Sequence, residues 1–288
     1  MVIETVIFLI CLIALIVASI TDIKTREVPD WLSFSLMFSG LGLRLIYSVI
    51  TSDWMFIVHG LFGFIAFLAI AYIMFYAGQW GGGDSKILIG LGGLLGLELN
   101  IDAFIIGFWI NVLLVGVAYG LLWSVFMAIR KRSAFLKEFR SSLTKKRMVL
   151  FRRIFFVASV ILIITFVFIS ELFIRLTSLF FAILFLLGIY VYTFIKAVEA
   201  SCMLKHVEPE QLTEGDWIAE DIIIGKKRIT GPKDLGIEMD QIKELIALKK
   251  LGKVKKVLIK EGIPFVPSFL IAFILTYVYG NLILLFLT

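Results

Sequence analysis

The sequence predicts an all-α polytopic membrane protein of about eight transmembrane helices, with a small cytoplasmic α/β insertion. Three observations lead there. The 288 residues are 60% hydrophobic and 17% charged, with mean hydropathy +1.02, whereas soluble domains run to roughly half apolar and a quarter charged. Apolar stretches recur at lengths that suit a bilayer. The cations lie between those stretches rather than on one soluble face. Membrane topology therefore accounts for the net charge of +6 and the pI of about 9.2, and no nucleic-acid partner is implied.

The first run, 5–21, has 17 residues, enough for about 26 Å of helix. Its only early charge is Glu4, and no small-x-small cleavage site follows, so it reads as a retained span and not a signal peptide. Further runs cover 31–51, 54–77, 86–98, 102–129, 154–173, 176–196 and 264–287. The second carries Arg44, which must snorkel or face the bundle.

The fourth run is short, and charge bias decides it. With eight spans and the N-terminus outside, the inward segments are 22–30, 78–86, 130–153 and 196–263, and they hold 26 of the 28 Lys and Arg residues. Deleting the fourth crossing would put the ten cations of 130–153 outside, against the positive-inside rule. The basic stretch then faces anionic lipid headgroups, which makes membrane lipids a partner.

Residues 199–263 change character. They are charged, carry turn signals, show helical spacing from Asp240 to Lys250, and contain two short strand-like segments, WIAEDIII and VKKVLI. The expected organisation is a membrane core at 1–129, a basic cytoplasmic loop at 130–153, two further transmembrane helices at 154–198, the α/β insertion at 199–263 and a final helix at 264–288. Cys11 and Cys202 form no CxxC or Cys/His spacing. Neither a disulfide framework nor a metal site is indicated, and no cofactor is expected.

Two acids occupy matching positions. Asp22 follows the first run in SITDIKTREVPDWL, and Asp84 opens the fourth in QWGGGDSKILIG. In the orientation above both stand at cytoplasmic helix ends. Two carboxyls about 3 Å apart share one proton and titrate as a unit. One then takes a proton from water while the other polarises a peptide carbonyl. Gly81, Gly82 and Gly83 would permit positive φ and a close approach of substrate backbone.

Plainer readings stand beside this one. Asp84 is placed to cap its helix, Asp22 to be a solvated loop charge, and Asp30, after Pro29, to cap the second span. The glycines of GLGGLLG at 90–96 suit close helix packing. Lys24 and Arg26 read as topology anchors, as phospholipid contacts or as charges that tune the acids, the anchor being the commoner role. Lys86 either acts on Asp84 through its charge or snorkels to headgroups. Gln79 and Trp80 read as lining an entrance or, for Trp80, as an interface anchor, and His59 as a packing or interface residue rather than a base.

At these motifs the chain resembles the archaeal preflagellin and prepilin peptidases, relatives of the bacterial type IV prepilin peptidases within the GxGD membrane aspartyl proteases. Gly81-Gly82-Gly83-Asp84 matches the GxGD signature. TDIKTREVPDW, with Asp22, Lys24, Pro29 and Asp30, matches the segment around the first aspartate, and EGIPFVPSFLIAF at 261–273 is similar to the Pro-rich final span. The resemblance implies an aspartic endopeptidase with Asp22 and Asp84 as its catalytic pair and no cofactor. Its substrates would be archaellin or type IV pilin-like precursors, and its place the cell membrane, with the active site at the cytoplasmic face. Bacterial members also N-methylate the new terminus and carry paired CxxC motifs. With no CxxC here, proteolysis without methylation is expected.

Other classes fit less well. Presenilin-like GxGD proteases hold their acids on neighbouring late spans, with a Tyr before the first Asp where this chain has Thr21. A carrier would show internal repeats and helices interrupted near the midplane. In a non-catalytic scaffold the glycine–Asp motif would be mere packing.

Overall fold

The computed structural model describes residues 2–100, 102–225 and 227–287. It is mostly helical and falls into two compact units. The first unit runs to Gly120 and also takes Pro209–Lys255 and the chain from Gly262 onward; the second takes Leu121–Glu208 and Lys256–Glu261. Residues 199–263 are thus divided between the units.

Helices α1 (Val2–Thr25), α2 (Asp30–Thr51), α3 (Trp54–Tyr76), α4 (Gly82–Leu95) and α5 (Phe104–Arg130) come first. Next are α6 (Arg132–Thr144), α7 (Lys146–Phe168) and α8 (Leu172–Cys202). A mixed region then holds β1 (Leu204–Val207), β2 (Trp217–Ile218), β3 (Ile222–Ile224), β4 (Lys227–Thr230), α9 (Met239–Lys250) and β5 (Val257–Lys260). Helices α10 (Val266–Tyr279) and α11 (Leu282–Leu287) follow. Among the described residues, six helices, α1, α2, α3, α5, α7 and α8, are long and apolar enough to cross a membrane. The chain is a multi-pass membrane protein.

Two of the eight expected spans take other forms. Helix α4 has 14 residues, about 21 Å, short of a hydrocarbon layer of about 30 Å. Its Ile87, Leu88, Leu91 and Leu94 are fully buried, because α2 and α3 pack along it. The glycines serve that packing: a Cβ on Gly92 would lie 2.7 Å from Cβ of Phe67, and one on Gly90 2.9 Å from Cδ2 of Leu36.

A helix ending inside the bundle leaves carbonyls that water cannot reach. Arg44 takes them. It is 5% exposed and donates from Nε to Leu94 O at 2.8 Å, from Nη2 to Leu95 O and from Nη1 to Phe56 O at 2.6 Å. Of its two sequence readings, Arg44 takes the one facing the bundle.

The run 264–287 is broken at Gly280 (φ +70°) into α10 and α11. Buried Asn111 of α5 closes the break, donating to Thr276 Oγ1 at 2.9 Å and Gly280 O at 2.8 Å and accepting from Leu282 N at 3.1 Å. Helix α10 lies against α1, with Phe8 and Phe273 stacked at 5.0 Å between centroids.

Pro209–Lys255 buries Leu212, Ile218, Ile229, Ile237, Ile242 and Leu245. The helical spacing seen in sequence became α9, whose Gln241 reaches back to the Glu238 amide at 2.9 Å. An exposed Lys249–Glu210 pair at 2.6 Å contributes little, because solvent screens it. In the second unit α7 packs on α8, and β1 pairs antiparallel with β5, Leu204 opposite Lys260 and Val207 opposite Val257. The stretch expected as a basic loop is helical over Arg132–Thr144 and from Lys146 onward.

Replacing Arg44 with Met removes a charged donor from one buried and two partly buried carbonyls. The expected loss is roughly 2–4 kcal/mol, from the usual worth of charge-assisted hydrogen bonds and the cost of orphaned acceptors. Arg44→Lys should recover little of it, since one ammonium does not reproduce the guanidinium fork. Reversible unfolding in mixed detergent would check both; stability close to wild type for Arg44→Met would refute the role.

Candidate active site

Asp22 stands in the last turn of α1 and is 5% exposed. Its Oδ2 accepts the backbone N–H of Val266 at 2.9 Å. Val266 opens α10, so its amide is one of the donors that a helix start leaves unpaired. Sequence-adjacent caps usually serve such donors; here the acid comes from a residue 244 positions away. The positive end of α10 favours negative charge on Asp22. Immediately after α1, Arg26 takes a left-handed conformation (φ 63°) and donates its amide to Asp22 O at 2.9 Å. The Arg26 side chain and Tyr119 of α5 both lie within electrostatic reach of the Asp22 carboxyl.

Asp84 is the third residue of α4 and is partly buried. Its Oδ2 accepts the Gly81 amide at 3.1 Å, the backward-reaching half of a capping box. The capping role read from sequence is therefore present, and it coexists with the paired arrangement: α1 and α4 pack together, and Asp22 and Asp84 interact electrostatically. Two acids 62 residues apart in sequence thus end in one neighbourhood, each held by a backbone amide. Among the described residues, no group of three or more His, Cys, Asp or Glu converges as a metal site would require.

The glycines act differently from expectation. Gly81 has φ −71°, and neither Gly82 nor Gly83 is among the positive-φ glycines. Closeness is the reason at Gly83, where a Cβ would lie 3.1 Å from both N and Cβ of Val28. Buried Val28 connects α1 to α2, so this contact packs the Asp22-bearing segment against the Asp84-bearing helix. Around Gly82 there is room, the nearest atom to an added Cβ being Phe75 Cε2 at 3.9 Å.

The other sequence-predicted residues divide. Lys86 pairs with Asp30, Nζ to Oδ1 at 2.6 Å, so neither the headgroup nor the Asp84 reading describes its partner. Asp30 does not cap α2: Pro29 holds the N-cap position, and Asp30 ties the start of α2 to α4. Lys24 is exposed in the last turn of α1. Trp80 is 4% exposed, packed on Trp109 and Phe269 at 5.9 and 5.4 Å between ring centroids, so it is neither an entrance nor an interface residue. Sequence reading missed the Val266 amide and Tyr119. The only trace of the first was Pro267 at a helix start, and nothing marked the second.

Gly83→Val should lower stability by about 1–3 kcal/mol, the usual cost of overpacking, while Gly82→Ala stays within about 0.5 kcal/mol of wild type, as substitutions away from packed sites do. Unfolding of the two variants side by side is the measurement; equal effects would mean that the approach of Val28 is not what selects glycine.

Comparison with known proteins points one way. Residues 9–129 match the profile of the type IV leader peptidase family. The preflagellin peptidase of Methanocaldococcus jannaschii is 36% identical over 88 residues, covering 31% of this chain and 37% of that protein. That of Methanococcus voltae is 40% identical over 88 residues, with the same coverage. The prepilin peptidase EppA of Methanothermobacter thermautotrophicus is 32% identical over 105 residues, covering 36% of this chain and 27% of that protein. These alignments thus span about a third of this chain and of the relatives it matches. No solved structure matches significantly. Over the segment that carries both aspartates, the chain is similar to the type IV leader peptidases, and preflagellin and prepilin peptidases are the relatives it resembles.

Proposed function

We propose that this chain is an aspartic endopeptidase that removes the short charged leader from archaellin or type IV pilin-like precursors at the cytoplasmic face of the cell membrane, without N-methylation. The observation that carries the reading is that Asp22 and Asp84, on two helices that pack together, lie within electrostatic reach of each other inside the segment similar to leader peptidases. The distribution of cations supports the sidedness, under an eight-span topology that counts α4 and α10 as the short crossings and leaves 199–263 in the cytoplasm.

In the proposed cycle one aspartate is ionised and its partner protonated. The ionised carboxylate takes a proton from water as the water oxygen attacks the scissile carbonyl carbon, while the protonated partner donates to the carbonyl oxygen. The tetrahedral gem-diol collapses as the C–N bond breaks: the proton taken from water passes to the leaving amine, and one diol hydroxyl returns its proton to the partner aspartate, which restores the carbonyl and the starting pair. The amide of Val266 on Asp22 and that of Gly81 on Asp84 restrict each carboxyl to one rotamer, so the orientation is set before substrate arrives.

Asp22→Asn and Asp84→Asn should each abolish leader removal, a loss of at least about a thousandfold in rate, as for other catalytic groups, with normal membrane insertion. Co-expression with a pilin-like precursor and a gel shift would read this. Undiminished cleavage by either variant would dismantle the pair and reopen the carrier and scaffold readings. With purified protein, activity should follow a bell-shaped pH profile and survive EDTA. A chelator-sensitive reaction would require a metal and overturn the mechanism.

A further inference from the structure

We infer that the Pro209–Lys255 region belongs to the working site through one contact, in which Trp217 presses on Gly78 and fixes the loop that orients Asp84. The inference rests on the protease reading for its kinetic arm and on geometry alone for its structural one.

Strand β2 places the two neighbours Trp217 and Ile218 on opposite faces. Ile218 is buried with the apolar side chains of Pro209–Lys255, and Trp217 points the other way, only partly buried. The end of its indole meets Gly78: a Cβ built there would lie 2.9 Å from Cη2 and 3.5 Å from Cζ3 of Trp217. Gly78 also has φ +65°, so glycine is demanded twice, by the backbone conformation and by the ring above it.

Gly78 begins a short, fully bonded path to the acid. Its amide donates to Phe75 O at 2.9 Å, and those of Gln79 and Trp80 both donate to Met74 O, at 2.9 and 3.3 Å. The Trp80 side chain is locked among Trp109 and Phe269. The next residue, Gly81, supplies the amide that holds Asp84 Oδ2. Trp217 touches one end of this turn and Asp84 hangs from the other. Because Trp217 acts through Gly78 and Gly81, it is a positioning residue. Displacements of about 1 Å at a reacting group are enough to cost on the order of a hundredfold in rate.

The test uses the full-length protein in detergent, with Trp217→Ala and Trp217→Phe. The Phe ring keeps an aromatic on β2 but falls short of Gly78. Hydrogen exchange is followed at the amides of 78–81 and, as a folding control, at α9. The inference expects faster exchange at 78–81 in Trp217→Ala, a smaller effect in Trp217→Phe, and unchanged protection of α9 in both. If α9 protection collapses in Trp217→Ala, Trp217→Phe decides by the same criterion. Unchanged exchange at 78–81 with α9 intact overturns the inference, whether or not the wild type cleaves anything.

On a pilin-like precursor, kcat should fall about tenfold or more in Trp217→Ala with KM within about twofold, a loss of transition-state positioning alone. A raised KM at constant kcat would make Trp217 a substrate contact and overturn the positioning role. A wild type that fails to cleave removes the protease reading and leaves the exchange result to stand by itself.

Discussion

The structure depends on closing both ends of one short buried helix. Helix α4 is too short to carry its termini out to water on both sides, so its first amides and last carbonyls need protein partners. Asp84 satisfies the start, by way of Gly81, and Arg44 satisfies the finish. Each is costly to bury, and each is accepted because the alternative is an orphaned backbone group in an apolar bundle. Once α4 is anchored this way, α2 and α3 wrap it, the Val28 connection packs on Gly83, and Asp22 is drawn beside Asp84.

The same logic places the first acid. Asp22 stands at the negative end of α1, an unfavourable position for a carboxylate by itself. The first amide of α10 and the Arg26 side chain compensate, one from a helix start and the other from the turn that follows α1. The pair is held by elements drawn from the two ends of the described chain.

Much of this was legible in the sequence, for identifiable reasons. Apolar runs and cation placement are composition-level signals, and six of the runs became membrane-length helices. Asp22 and Asp84 could be paired on paper because each abuts an apolar run, which fixes depth without knowledge of packing. The glycines and ion pairs resisted. Whether Gly83 serves torsion or closeness depends on Val28, and nothing local to GGGD says that Val28 is there. Lys86 finds Asp30, 56 residues earlier, and the Asp22–Val266 bond spans nearly the whole chain. Periodicity and propensity carry no information about such partners. The interruption at Gly280 was equally hidden inside an apolar run, since the Asn111 side chain that closes it stands 165 or more positions earlier.

The bond between Asp22 and the start of α10 also bears on biogenesis. Its partners are 244 residues apart, and ribosomes extend chains at about 5–20 residues per second. On the order of ten to fifty seconds therefore separate the synthesis of the acid from that of the amide that holds it. During that interval α1 and α4 are already made, with Asp22 lacking its partner on α10. The amide that holds Asp22 is made only with α10, so a growing chain carries this acid without its restraint through most of its synthesis.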